Sequence, residues 1–272
     1  MNIDYLDIAK KLDLEKDDIL IIASDITDIA LHEWKEGRKF DAQKFINSFK
    51  ERLFEGTLLF HAFNDNLVSG DTFDYKNSKP NTGILSVVAW KDTDFIRTHD
   101  PFHSFMVWGK RADELKNIDD VSTFGNNSVF GWLHQNRAKM LIISLHIVDC
   151  FTFNHYCEEK IKVHYRKYVK HKIHYIDENK QKSVVERLFY TRKSGYLNNF
   201  TSLEKSLLEK GIAQNYSFNE TTFLLIDLEQ TYNYIKDNIY PKGNLLSYKF
   251  SYKVWIKDVL KKILRRFHLK IH

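Results

Sequence analysis

At 272 residues, with 43% apolar and 14% aromatic content, the chain is long enough for one substantial α/β domain and too rich in core-forming residues to be disordered. Ten Gly and three Pro leave little material for linkers. Lys and Arg number 41 against 36 Asp and Glu, a net +5; the bases cluster at 160–172 and 249–270, patches that suit either an anionic partner or a solvated face.

Residues 1–14 carry Ile3, Leu6, Ile8 and Leu12 at helical spacing, and Asp18-Ile19-Leu20-Ile21-Ile22 before Ala23-Ser24-Asp25 predicts a buried strand that ends in a polar loop. A helix over 40–54 and a strand over 56–60 follow. The order strand, helix, strand points to parallel pairing with helices on the faces. Residues 64–82 are rich in Asn, Asp and Gly, a long loop of the kind that carries function, and lead into a helix over 82–89. The most apolar segment, 140–145, reads as a central strand, with a helix starting near Thr152. The basic, His-rich stretch 160–183 reads as exposed strand. Residues 203–210 read as helix, 221–227 as strand and 228–239 as helix, and Pro241 and Gly243 mark a boundary.

The tail repeats Trp255, Ile256, Val259, Leu260, Ile263, Leu264 and Phe267 at helical spacing, with Lys257, Lys261, Lys262, Arg265 and Arg266 around them. This is the pattern of an interfacial basic helix in peripheral contact with a membrane, and equally of a helix docked on the core or on a second subunit of a homo-oligomer. No stretch reaches the ~18 apolar residues of a membrane span, and 1–16 has no signal-peptide core. With two cysteines, Cys150 and Cys157, outside C-x-x-C spacing, a reducing cytoplasmic setting is expected, at most at the inner face of a membrane.

Two clusters carry chemistry. Around Pro101, residues Arg97, Thr98, His99, His103 and Ser104 form a rigid, donor-rich turn that suits phosphate or hydroxyl groups, or is a His-bearing surface turn. Farther on, Thr152, His155 and Glu158 stack on one helical face, so that the carboxylate orients an imidazole whose other nitrogen meets substrate. The bland alternative is an ordinary His–Glu pair on an exposed face. Cys157 lies two residues from His155 and points away from it. Cys150, His155 and Cys157 do not converge on a metal ion, and no phosphate-binding G-x-G-x-x-G or G-K-[ST] loop occurs.

The stretch 95–105 with Val107-Trp-Gly-Lys-Arg-Ala-Asp-Glu-Leu115 resembles the R-[ST]-x-H-P-x-H-S and W-G-x-x-A-x-x-L signatures of the aminoglycoside 3-N-acetyltransferases. Asp149-Cys-Phe-Thr152-Phe-Asn-His155-Tyr-Cys-Glu158 resembles their D-x-x-T-x-x-H-x-x-E. Residues 56–63, 124–131 and 211–239 match further family segments; Ala23 stands for the usual His of H-S-S-L, Val129 for the usual Pro, and His99-Asp100-Pro101 interrupts the family's His-Pro. The resemblance covers roughly 1–240, one domain followed by a basic extension over 241–272. It implies a three-layer α/β/α sandwich with a mixed central sheet. It further implies a CoA-dependent N-acyltransferase with no resident cofactor or metal, acyl-CoA as co-substrate, His155 and Glu158 as catalytic pair, Ser24, Asp25, Arg97, Thr98, His103 and Ser104 toward CoA, and His99, Asp149 and Thr152 toward the acceptor. The positive balance favours an anionic acceptor, a nucleotide-linked amino sugar such as a dTDP-3-amino-3,6-dideoxyhexose for O-antigen or capsule synthesis, with acetyl- or 3-hydroxybutanoyl-CoA as donor. The alternatives are an aminoglycoside acceptor and a non-catalytic module for anionic membrane or RNA; a nucleic-acid partner is not expected.

Overall fold

Strand β1 (Ile19–Ser24) is apolar on both faces and therefore needs cover on both sides. It forms the middle of a seven-stranded sheet in a computed structural model. Residues 3–197, 201–242 and 249–266 are described. A short turn at Tyr5–Asp7 and helix α1 (Ile8–Lys11) precede β1. After it come α2 (Thr27–Lys35), α3 (Ala42–Arg52), β2 (Thr57–His61), β3 (Thr72–Asp74), α4 (Ile84–Lys91), β4 (Ile96–Arg97), β5 (Phe105–Gly109), α5 (Ala112–Lys116), α6 (Val129–Gln135) and β6 (Lys139–Ile143). Then follow α7 (Ile147–Cys150), α8 (Phe153–Ile161), β7 (Arg166–Ile176), β8 (Lys182–Arg192), β9 (Tyr196–Leu197), α9 (Thr201–Glu209), β10 (Ala213–Phe218), β11 (Thr221–Asp227), α10 (Leu228–Lys242), β12 (Lys249–Phe250) and α11 (Tyr252–Arg266).

The strand order is β10-β11-β6-β1-β2-β5-β4. β6, β1 and β2 run parallel, and the flanking pairs are antiparallel. The sheet is mixed, as expected. Alternate side chains of β1 enter two separate cores: Leu20 and Ile22 pack with Phe45, Phe49 and Leu85 of α3 and α4, while Ile21 and Ala23 pack with Phe130, Tyr156 and Leu207 of α6, α8 and α9. These two cores make the three layers.

Four sequence expectations change. The strand at 140–145 is β6, which flanks the central β1. The turn-like 95–105 is a hairpin, β4 and β5 joined by 98–104. The N-terminal helix is confined to Ile8–Lys11, and α10 continues past Pro241 to Lys242. Gly243 and Phe267, assigned above to a boundary and to the tail's apolar face, lie outside the described residues.

A second sheet, β3-β7-β8, stands beside the first. Phe73, Tyr75, Phe102, Ile173 and Tyr175 form its small core. The loop over 64–82 thus has work at both ends: its middle supplies β3, and its ends reach the cavity described next.

Candidate active site

A cavity of about 700 Å³ opens at the carboxyl ends of β1, β2 and β6, where α/β sheets commonly hold ligands. Ser24, Asp25, Ile26 and Thr27 come from the turn between β1 and α2, His61 and Phe63 from the end of β2, and Asp149, Cys150 and Thr152 from the segment after β6. Gly83 closes another side at φ +95, a conformation open to glycine, with Ser24 O at 3.4 Å from where a Cβ would stand. Asp25 accepts from Thr27 N (2.9 Å) and Thr27 Oγ1 (2.6 Å), bonds that hold its carboxyl below the ordinary range. Asp25, Asp65 and Asp149 are the charged lining residues; none of the described lining residues is Lys or Arg.

One helical turn beyond Thr152, His155 keeps 26% of its side chain exposed, so the ring is not sealed in the interior. Its Nδ1 lies 3.0 Å from Glu158 Oε2 and 2.7 Å from Arg166 Nη2. Glu158 is fully buried, with Arg166 Nε at 2.5 Å and the Tyr165 hydroxyl donating at 3.0 Å. Burial alone would raise the Glu158 pKa; the His155 hydrogen bond, the Arg166 charge and Tyr165 outweigh it and hold the carboxyl down. Burial and then Arg166 lower the pKa of His155, against the opposing pull of Glu158. The ring is therefore neutral at pH 7. A rate that depends on the neutral ring is expected to fall on the acid side as the pH drops through the lowered folded value, with the limb centred below the ordinary 6.5. Initial rates at saturating substrates check this; an acid limb centred above 6.5 would contradict it.

A line of rings joins cavity to imidazole. His61 lies 4.6 Å from Phe63, Phe63 4.6 Å from His103, His103 4.9 Å from Phe124 and Phe124 5.4 Å from His155, centroid to centroid. Burial lowers His61 to about 4 and holds His103 well below the usual range, so both rings are neutral. Among the described residues His61 has ring contacts to Phe63 and Phe105 and no side-chain hydrogen bond, leaving its nitrogens to the cavity.

The model of the aminoglycoside 3-N-acetyltransferase family matches residues 32–239. The chain belongs to that family. It is thereby a CoA-dependent N-acyltransferase rather than a non-catalytic binding module. Among solved structures it is similar to aminoglycoside acetyltransferase AAC(3)-Xa (TM-score 0.73, 15% identity, 89% of this chain and 92% of that one). It is also similar to AAC-IIIb solved as a binary complex with CoASH (0.69, 14%, 86% and 93%) and to the YokD protein of Bacillus subtilis (0.71, 14%, 88% and 92%). At these identities the likeness to the solved structures shows the fold. No curated protein matches.

Within this 3-N-acetyltransferase family member, the expected site residues divide. Ser24, Asp25, Asp149 and Thr152 line the cavity; His155 and Glu158 meet each other and are not among its lining residues. Arg97, Thr98 and Ser104, expected toward CoA, are committed inside the protein. All five guanidinium N–H groups of Arg97 are spent on Ser104 Oγ, Tyr75 O, Ser78 O, Ala62 O and Asn64 Oδ1. Thr98 and Ser104 are fully buried, Thr98 accepting from Phe105 N and Ser104 donating to Ala62 O. Arg97 and Ser104 tie the β4–β5 hairpin to residues 62–78, and Thr98 closes the hairpin on itself. His103 sits in the ring line, buried, with Nδ1 unpartnered, and is absent from the cavity lining. His99 Nδ1, expected toward the acceptor, meets the Tyr175 hydroxyl at 3.1 Å on the second sheet, away from the cavity. Asp100, the residue that interrupts the family's His-Pro, accepts from Phe102 N and His103 N at 2.8 Å and from Thr123 Oγ1 at 3.0 Å. It caps the turn.

Arg166, Tyr165 and His61 escaped sequence reasoning. Arg166 and Tyr165 sat in a stretch read as exposed, and His61 stands where the family's G-T-L-x-x-P-x-F carries Pro, at the end of a strand that read as core. The departure from Pro was the available signal. Cys150 also lines the cavity, but burial, with Asp149 and Glu204 nearby, raises its thiol to about 12. Cys150→Ser is expected to retain activity within about twofold, and iodoacetamide at pH 7.5 to inactivate the wild type slowly; an acyl-enzyme seen by mass spectrometry after acyl-CoA alone would contradict direct transfer. Among the described residues no group of His, Cys, Asp or Glu is arranged to hold a metal ion.

Proposed function

We propose that the chain moves an acyl group from acyl-CoA to the amino group of a sugar by direct transfer, with His155 as general base. The supporting observation is the partly exposed His155 held by Glu158 and Arg166 one turn from an acid-lined cavity. Glu158 Oε2 favours a proton on Nδ1, and Arg166 Nη2, which only donates, must then turn away from its 2.7 Å approach to that nitrogen; in this tautomer Nε2 keeps its lone pair for substrate. The amine nitrogen attacks the thioester carbonyl, whose π electrons move to oxygen. The ammonium proton passes to Nε2, the C–S bond breaks and CoA leaves as thiolate, which the imidazolium then reprotonates.

The acceptor class follows from charge. Net +5 argued for an anionic acceptor, but Arg97, Arg166 and Arg187 are buried and committed internally, and the cavity wall carries three Asp and no Lys or Arg among its described residues. An amino sugar with net positive charge, as in an aminoglycoside, suits that wall; the diphosphate of a nucleotide-linked amino sugar would have to lie outside it. Release of CoA thiol is to be measured with acetyl-CoA and 3-hydroxybutanoyl-CoA against a gentamicin-type acceptor and a dTDP-amino sugar. Turnover of the cationic acceptor is expected. Turnover of the nucleotide-linked sugar alone would overturn the charge assignment, and CoA binding without turnover of any amino sugar would overturn the function.

A further inference from the structure

A docked helix ordinarily turns its apolar face inward; α11 half-buries Val254 and Val259 but leaves much of its apolar surface exposed. Its attachment to the protein runs through Asp258, whose Oδ2 accepts from Gly195 N at 3.0 Å and pairs with Arg192 Nη1 at 3.5 Å. Gly195, at φ +88, allows the close approach: a Cβ there would stand 2.5 Å from the Phe250 ring and 2.9 Å from Trp255 Cβ. Val254, one turn before Asp258 on the same side, is half-buried.

The apolar arc faces solvent. Tyr252, Ile256 and Leu260 repeat every fourth residue at 76%, 52% and 52% exposure, and Trp255, 44% exposed, widens the arc. Phe250 extends it past the helix start, its ring 5.1 Å from that of Tyr252. Lys253, Lys257 and Lys261 form the adjoining stripe, exposed and without an ion-pair partner among the described residues. Contiguous exposed apolar surface of this kind marks an interaction site.

We propose that α11 seats the protein on an anionic lipid bilayer, with Tyr252, Ile256 and Leu260 entering the interface and Lys253, Lys257 and Lys261 meeting the headgroup charge. The lysines select the occupant. A second copy of the chain would bring like charges together along the rim, whereas an anionic surface neutralises them. The helix lies in the interface plane: no helix among the described residues is long and apolar enough to cross a membrane.

The full chain is to be co-sedimented with vesicles of pure phosphatidylcholine and of phosphatidylcholine with phosphatidylglycerol. Binding to the anionic vesicles, weakened by salt, is expected, and Ile256→Glu with Leu260→Glu should reduce it at least about tenfold. Both positions are exposed, so an unchanged circular-dichroism melt confirms that the loss comes from the surface. Absence of binding, equal binding to neutral vesicles, or full binding by the double variant would overturn the proposal. So would light scattering that shows a dimer lost in the double variant, since a second copy would then be the occupant.

Discussion

His155→Ala is expected to lower kcat by roughly 10² to 10⁴ while the protein stays folded, because general-base catalysis contributes a factor of that size. The chemistry needs a group that takes a proton from the attacking nitrogen at neutral pH. His155 is neutral there and open to solvent on one side, with Glu158 Oε2 at 3.0 Å behind it. Removal of the ring leaves the ion pair between Glu158 and Arg166, and the Tyr165 bond, in place. The melting temperature should therefore move by a few degrees at most. CoA thiol release measures the rate and circular dichroism the fold; a variant that is folded and retains a third of wild-type kcat would remove His155 from the chemistry. The comparison must be on kcat at saturating acceptor, since a loss confined to KM would indicate a binding role.

Glu158→Gln should produce the largest loss of stability. The carboxylate is fully buried between Arg166 and Tyr165, and Arg166 is itself buried, its Nη1 donating to Tyr190 O at 2.7 Å. Taking away the negative partner strands a buried guanidinium, a change that costs about 3 to 5 kcal/mol. In a chain of this length each kcal/mol corresponds to roughly 2 to 4 °C, so a drop in melting temperature on the order of 10 °C is expected. The same pair gives a signed pH dependence. Because the folded pKa of Glu158 is depressed, its stabilising contribution is complete above the unfolded carboxylate value of 4.5 and is lost as the pH falls through the lower folded value. Urea midpoints measured downward from pH 5 should fall in the wild type and be flatter in the variant. Equal slopes would mean that other groups control acid unfolding.

The His155–Glu158 pair was legible because it is local. Residues three apart on one helix meet wherever the helix sits, so 155 and 158 could be paired before any fold was known. The loop after β1 and the segment from Asp149 to Thr152 were legible for a related reason: strands that run parallel end on the same side, and their following loops share it. The cluster around Pro101 misled because residue type says nothing about partners. A turn dense in donors can bind a ligand or bind the protein, and Arg97 spends every N–H on carbonyls and side chains from 62 to 104. Overall charge likewise says little about the cavity, since Arg166 and Arg187 stand in internal ion pairs and the described charged residues of the cavity wall are acidic.

What the order of residues determined by itself is the alternation of apolar strand and amphipathic helix, the doubly buried β1, and the His–Glu register of α8, all set by periodicity within short stretches. Tertiary structure alone decided the rest. Arg166 and Tyr165 reach Glu158 from another element, and His61 gains its opening to the cavity at the end of an otherwise buried strand. Tyr252, Ile256 and Leu260 of α11 face outward because Asp258, Val254 and the Trp255 Cβ take the side toward Gly195. Each of these depends on which side of an element finds a neighbour, and that is fixed only when separate elements pack together.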